Sequence, residues 1–316
     1  MKQARFPFAL LFLLAGTSCA DDFAPYSRLD RLRVLAIQSE PAMPMPGTVA
    51  SLSALTFAPN GEIPAMRWSW CPVQAKASES YACPLDEAGA VQVFAQALDA
   101  TAAGVLPSFD LGTNASALFA NPFSTDALFA LCTYGIDSPL LSRSIDCDDG
   151  YPVTVVLDVA TASDSLRAGF VLRLPVGSVP EINNNPAIAG LSLGEAPLGD
   201  PLTSVRLSAD QAASLTIQVT AAVAEVRSIP PAEGGPGTRL ERLTASWFAS
   251  SGEIEHARTS FIDGTASLEE MSQNRFTAPA IEDWPADGVT DFAVVLRDDR
   301  GGSAWITRKV ILERVP

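Results

Sequence analysis

Apolar side chains recur at every second position over long stretches of this chain, and that period admits strands and little else. Met66, Trp68 and Trp70 share one face of Met66-Arg67-Trp68-Ser69-Trp70. Upstream, Leu32, Val34 and Ala36 alternate with Arg31, Arg33 and Leu35, and Val49, Leu52 and Leu55 stand among small polar residues. Successive side chains of a strand point to opposite faces, so such a segment buries one face and wets the other. Segments 152–160 and 166–174 carry the same signal. It returns over 187–193, 202–207, 214–220, 241–249, 255–262, 288–297 and 303–312. Between the last two, Asp298-Asp299-Arg300-Gly301-Gly302 is a hairpin turn signal.

Short strands at regular intervals, divided by Pro and Gly steps, predict an all-β chain of two Ig-like antiparallel β-sandwiches in tandem. Trp247 sits where the second sandwich would carry its central aromatic. The segment from about 84 to 150 is different. It is rich in Ala and Leu and fits strands poorly. Val91, Phe94, Ala95 and Leu98 have helical spacing within 86–100, and Ser124 is placed to cap a short helix carrying Leu128, Phe129 and Leu131. The expected organisation is a first Ig-like domain over 29–178 with a partly helical insertion at about 84–150. A linker follows at 179–186, where Asn183-Asn184-Asn185-Pro186 favours turn and extended backbone. The second Ig-like domain takes 187–316.

The first residues indicate export. Lys2 and Arg5 precede about ten mostly apolar residues, Phe6 to Ala15, a length that suits a signal peptide and is too short to span a bilayer. Gly16-Thr17-Ser18-Cys19 then resembles a bacterial lipobox, with Gly16 where Leu is usual. That resemblance implies a signal peptide over 1–18, a diacylated Cys19 as mature N-terminus and a tether over 19–28. The alternative is plain secretion, with cleavage after Ala20. Two acyl chains would anchor the protein firmly, at about 0.8 kcal/mol per buried CH₂. No later segment reaches the apolar length of a spanning helix.

Cysteine usage agrees with export. Cys71, Cys83, Cys132 and Cys147 remain after Cys19, an even number that implies two disulfides in an oxidising compartment, with three possible connectivities. Neighbour pairing, Cys71–Cys83 and Cys132–Cys147, closes short loops that the chain-entropy model values at about 3 kcal/mol each. The spacings match no zinc-ligand pattern.

Charge removes whole classes of function. The formal net charge is −15, and loss of the leader removes Lys2 and Arg5 with no acid, taking it to −17. A nucleic-acid partner is not expected, since phosphate neutralisation needs clustered Lys and Arg. The same net charge predicts a body that stands off anionic lipid on its tether. His256 is the single histidine, which excludes any site that needs two.

Several patterns imitate chemistry. Gly190-Leu191-Ser192-Leu193-Gly194 matches a nucleophile elbow, with Asp200, Asp210 and His256 downstream. The elbow needs a helix after the serine, and Pro197 and Pro201 forbid one. No catalytic residue and no cofactor are therefore assigned. Asp146, Asp148 and Asp149 crowd one short loop and are the best calcium candidates, ahead of Asp298-Asp299, which a hairpin turn explains. The three are weak ones, because the twelfth position counted from Asp146 is Leu157, where an EF-hand needs an acid. Trp68, Trp70, Trp284 and Trp305 could stack on sugars, although most tryptophans at strand spacing belong to cores.

Short motifs resemble a known group. Arg33 to Ile37, Glu40-Pro41, Pro46-Gly47-Thr48, Trp68 to Pro72, Asn183 to Pro186, Trp247-Phe248 and Arg297 to Gly302 with Trp305 are similar to predicted envelope lipoproteins of Gram-negative soil bacteria. The resemblance implies tandem Ig-like domains on a lipid anchor at the cell envelope, held as an outer-membrane lipoprotein. It supplies no activity. The expected role is a non-enzymatic interaction or spacer module that meets the membrane through its lipid and binds a protein or glycan. A carbohydrate- or calcium-dependent adhesion module is the alternative, and a secreted hydrolase ranks last.

Overall fold

The structure is a computed structural model that describes residues 25–97, 106–177, 181–199, 202–229, 234 and 237–314. The first module runs β1 (Arg33–Glu40), β2 (Val49–Phe57), β3 (Ala65–Cys71), α1 (Glu87–Ala97), β4 (Asp110–Gly112), β5 (Ser116–Ala120) and α2 (Thr125–Tyr134). A small hairpin, β6 (Ile136–Ser138) with β7 (Leu141–Arg143), precedes β8 (Tyr151–Ala160) and β9 (Ser165–Leu174). One sheet has the order β1-β2-β5 and the facing sheet β4-β3-β8-β9.

The second module runs β10 (Gly190–Leu193), β11 (Ala196–Pro197), β12 (Leu202–Leu207), β13 (Ala212–Gln218), β14 (Val226–Ser228), β15 (Thr238–Leu240) and β16 (Leu243–Ala249). It continues through β17 (Glu253–Ile254), β18 (Arg258–Phe261), α3 (Leu268–Ser272), β19 (Gln273–Thr277), β20 (Val289–Asp298) and β21 (Ser303–Arg314). Its sheets have the orders β11-β10-β13-β19-β17 and β12-β21-β20-β16-β18, and β14 pairs with β15 apart from them. In both modules a Trp-bearing strand pairs with the penultimate strand, which hairpins into the last. That is the immunoglobulin arrangement, and the chain is all-β with Ig-like sandwiches.

One pair departs from the antiparallel expectation. β12 runs parallel to β21, with Leu202 opposite Lys309. β11 and β12 belong to different sheets, so between them the chain leaves one sheet and joins the other. Strands that change sheets in this way form the corners of sandwiches.

The cores follow the alternation. Trp68, Trp70, Phe119 and Tyr151 are fully buried in the first module, and Trp247, Phe276 and Phe292 in the second. The indole N–H groups are satisfied: Trp68 donates to the Asn114 carbonyl at 3.0 Å, Trp70 to Ser108 at 2.9 Å and Trp247 to the Thr259 hydroxyl at 2.8 Å. These side chains are core, so Trp68 and Trp70 offer no platform for sugar. Trp284 packs against the second core, and Trp305 packs between the modules.

The 84–150 segment is partly helical, and it also supplies sandwich strands. Val93, Phe94, Leu128 and Leu131 turn both helices onto the core, and Ser124 caps α2 by accepting from the Ala127 N–H at 3.1 Å. β4 and β5 lie inside the same segment. β5 reads Ser-Ala-Leu-Phe-Ala, and its small residues flatten the alternation that Ala117 and Phe119 carry into the core. Cys71 is bonded to Cys83 and Cys132 to Cys147. Both bridges pin this segment, and two disulfides are the mark of a non-cytosolic protein.

β1 breaks its expected alternation. Leu35, Ala36 and Ile37 are consecutively buried, with a bulge in the β1–β2 ladder between Val34 and Ala36. The cause is a second contact. Ile37 and Leu32 enter the first core, whereas Leu29, Leu35 and Ala36 pack on Phe248, Ala293 and Val295 of the second module. Leu55, Phe57 and Trp305 close the edge of this cluster. The outer face of the three-stranded sheet thus lies on the outer face of β16, β20 and β21. Each large side chain buried there is worth about 1.5–3 kcal/mol, which makes this junction a packed layer and not a hinge.

The chain before β1 reaches the second module first. The Leu29 N–H donates to the Ala249 carbonyl, and the Ala249 N–H to the Ser27 carbonyl, both at 2.9 Å. The Tyr26 ring lies 5.4 Å from that of Phe248. The tether expected over 19–28 is therefore a docked strap from Tyr26 onward. Cys19 and the leader lie outside the described residues.

Candidate functional site

The polar half of the junction is built around the β20–β21 turn. Gly301 has φ +103°, and a Cβ on Gly302 would stand 2.1 Å from the Asp298 carboxylate. Glycine at both positions lets Asp298 fold back and accept from the Arg300 and Gly302 N–H groups, each at 2.8 Å. The turn so locked aims Arg300 inward. Its side chain is 4% exposed and meets Glu241, 1% exposed, through Nε at 2.6 Å. Nη2 reaches Glu225 at 2.8 Å, and Nη1 lies 3.8 Å from Glu181.

A second buried arginine ties this cluster to the first module. Arg227 donates to Asp149 at 2.7 Å and lies 3.5 Å from Asp299, which also accepts from Arg239 at 2.7 Å. The asparagine step of the linker acts as a rivet. Asn183 donates to Asp298 at 3.2 Å and Asn184 to Glu225 at 2.7 Å. Asn185 donates to the Ser39 carbonyl and to Glu40, each at 2.8 Å, and accepts from the Ser303 N–H at 2.9 Å. Across the same seam Gln38 donates to the Ser303 carbonyl at 2.5 Å, Ser303 to the Ile37 carbonyl at 3.0 Å, and Arg297 to the Leu35 carbonyl.

Burial sets the protonation of these acids. It pushes Glu241 up to about 7; Arg300 pulls the other way and Asp298 adds to the rise. Burial likewise raises Asp149 against the pull of Arg227, and Asp298 against the N–H groups of Arg300 and Gly302. A carboxyl whose folded pKa is raised holds its proton better folded than unfolded. Its contribution favours folding below the unfolded value of 4.5 and is lost as pH rises to about 7. Glu241→Gln removes this titration. Urea midpoints of variant and wild type should move apart in the variant's favour as pH climbs through that window.

The sequence candidates for chemistry do not converge. Ser192 lies within a strand and donates to the Thr216 carbonyl at 3.4 Å, while His256 is exposed, 3.9 Å from Glu255. Asp210 takes a positive φ in a turn, and Asp200 lies outside the described residues. The calcium candidates separate as well. Asp149 is spent on Arg227, and Asp146 accepts from the Asp148 N–H at 3.1 Å. Among the described residues no group of three His, Cys, Asp or Glu is placed to hold a metal ion.

Hollows flank the seam, two of them beside the charge cluster and the apolar layer. One of about 190 Å³ lies among Met43, the Cys147–Gly150 loop, Glu181, Arg227 and Arg300, below the usual range of about 300–1,000 Å³ for ligand pockets. The other, about 390 Å³, has Leu29, Leu35, Leu55, Phe57 and Ala293 in its walls, and Lys309 pairs with Asp291 at 3.1 Å beside it. No helix among the described residues is long and apolar enough to cross a membrane.

No family model matches the chain, and no curated protein does. Solved structures of Ig-like and fibronectin-like proteins do align. Extracellular domains 3–5 of Drosophila OTK share 8% identity over 90% of this chain, at a TM-score of 0.21, and the chain spans 62% of that structure. The fibronectin(III)-like modules of Clostridium thermocellum CbhA share 6% over 88% of this chain and 95% of theirs, at 0.23. The N-terminal Ig1-2 module of the Drosophila receptor protein tyrosine phosphatase DLAR shares 10% over 90% of this chain and all of its own, at 0.23. Scores this low bear on neither function nor partner, and the fold assignment rests on the strand order itself.

Proposed function

We propose that the chain is a non-enzymatic, lipid-anchored envelope protein whose two Ig-like modules act as one rigid block, presented to a protein partner. The observation that carries this reading is the seam. Apolar packing, two buried arginines and the asparagine rivet hold the modules face to face, and a block so braced keeps the geometry of any surface shared between them. A catalytic reading would need nucleophile, base and oxyanion donors brought to one place, and Ser192 and His256 are engaged elsewhere. The anchor is tested by radiolabelled palmitate in cells making wild type or Cys19→Ala. Label and membrane fractionation in the wild type, both lost in the variant, are expected. An unlabelled, soluble wild type would refute the anchor and leave secretion.

A further inference from the structure

The strap emerges through a collar of arginines, although the chain as a whole is strongly acidic. The Arg258 guanidinium lies 4.8 Å from the Tyr26 ring centre and that of Arg33 5.8 Å from it. Arg33 also donates to the Tyr26 carbonyl at 2.6 Å. Arg28 donates to the Gly252 carbonyl at 2.9 Å, so it is held on the strap by a neutral partner. Arg297 reaches the Leu35 carbonyl beneath.

Two acids stand beside this collar among the described residues. Asp30 is shared between Arg31, at 4.0 Å, and Arg33, at 3.8 Å. Glu253 lines the hollow beside Arg28 and Asp30. Among the described residues five arginines thus stand beside these two acids, and the sequence places Asp21 and Asp22 in the tether that precedes them. Arg31 and Arg258 are the exposed members, and the Arg31 side chain is 64% exposed.

We propose that the arginine collar around Tyr26 is the face that meets an anionic bilayer. The inference rests on the lipid-anchor reading, which supplies the geometry. Cys19 and Tyr26 are seven residues apart. An extended chain covers at most about 3.3–3.6 Å per residue, so acyl chains on Cys19 hold the collar within about 25 Å of the lipid. Exposed charges more than about 8 Å away are largely screened at physiological ionic strength. The tether is short enough to let the collar touch the headgroups, where its own charge acts and acids on distant faces are largely screened. This reverses the expectation drawn from net charge, that the body stands off. The block sits on the membrane at its waist, with its other faces turned outward. A basic patch beside a lipid chain is also the combination that makes anchoring durable.

The test uses the mature-length chain carrying Cys19→Ala, so that binding does not depend on acylation. Its partition is measured by sedimentation with phosphatidylglycerol-rich vesicles and with pure phosphatidylcholine vesicles. Preference for the anionic vesicles, weakened by salt, is expected. R31Q should cost about fivefold and R31Q/R258Q roughly thirtyfold, as for one and two basic groups at a bilayer surface. R67Q, a control at an exposed arginine paired with Asp110, should leave partition unchanged. Unaltered circular dichroism melting in each variant excludes unfolding as the cause. Equal partition on the two vesicles, or an equal loss in R67Q, would overturn the collar. Failure of palmitate labelling with partition intact would overturn the anchor alone.

Discussion

Arg300→Met is expected to destabilise the folded chain by about 3–5 kcal/mol at mildly alkaline pH, where Glu241 is ionised in the wild type, measured by urea unfolding. Arg300 is the direct counter-charge of Glu241, which is 1% exposed. Removing one partner of a buried ion pair leaves the other charge in a medium that cannot solvate it, and losses of this size follow. The loss should shrink as pH falls to neutral and below, because Glu241 then takes up a proton. Adding Glu241→Leu should recover much of it, since a buried pair replaced by apolar groups is often close to neutral. Recovery will stop short of complete, because Glu241 also accepts from the Glu225 N–H at 3.2 Å. Equal loss in the single and double variants would mean that Arg300 acts through packing alone.

Val295→Asp is expected to part the modules. Val295 is fully buried in the apolar seam, facing Leu29 and Leu35, while its neighbours Val294 and Leu296 point into the second core. A carboxylate held in that seam would cost several kcal/mol, more than one contact can repay. Opening the seam returns the charge to water and leaves both sandwiches folded. Small-angle scattering should show a larger radius of gyration, and the single unfolding transition should divide in two. An unchanged radius with a merely lowered midpoint would show that the seam tolerates the charge.

The strands were legible wherever one face was wet. Met66, Trp68 and Trp70 announce β3, and the Asp298–Gly302 turn announces the last hairpin. β5 and β19 were not legible. Small residues mask the first, and Gln273-Asn274-Arg275-Phe276-Thr277 offers only Phe276 as a large apolar anchor. β1 was legible as a strand but not as one buried on both sides, because its second contact comes from residues beyond position 240. The charge cluster was hidden for the same reason. Asp298 and Asp299 are fully explained by a turn until Arg227, Arg239 and Asn183 are brought beside them. Glu241 carries no local sign of burial. What marks it is an arginine 59 residues away.

The strap has a consequence for how the chain is made. Arg28 finds its partner carbonyl 224 residues downstream, so at synthesis the first sandwich is complete long before the surface that covers Leu29, Leu35, Leu55 and Phe57 exists. Until then those side chains form a sticky flank on a nascent polypeptide. Contacts of such long range slow assembly and leave it open to misassociation. A truncated product ending after the first sandwich would carry that flank permanently, and an aggregation-prone fragment is its natural fate.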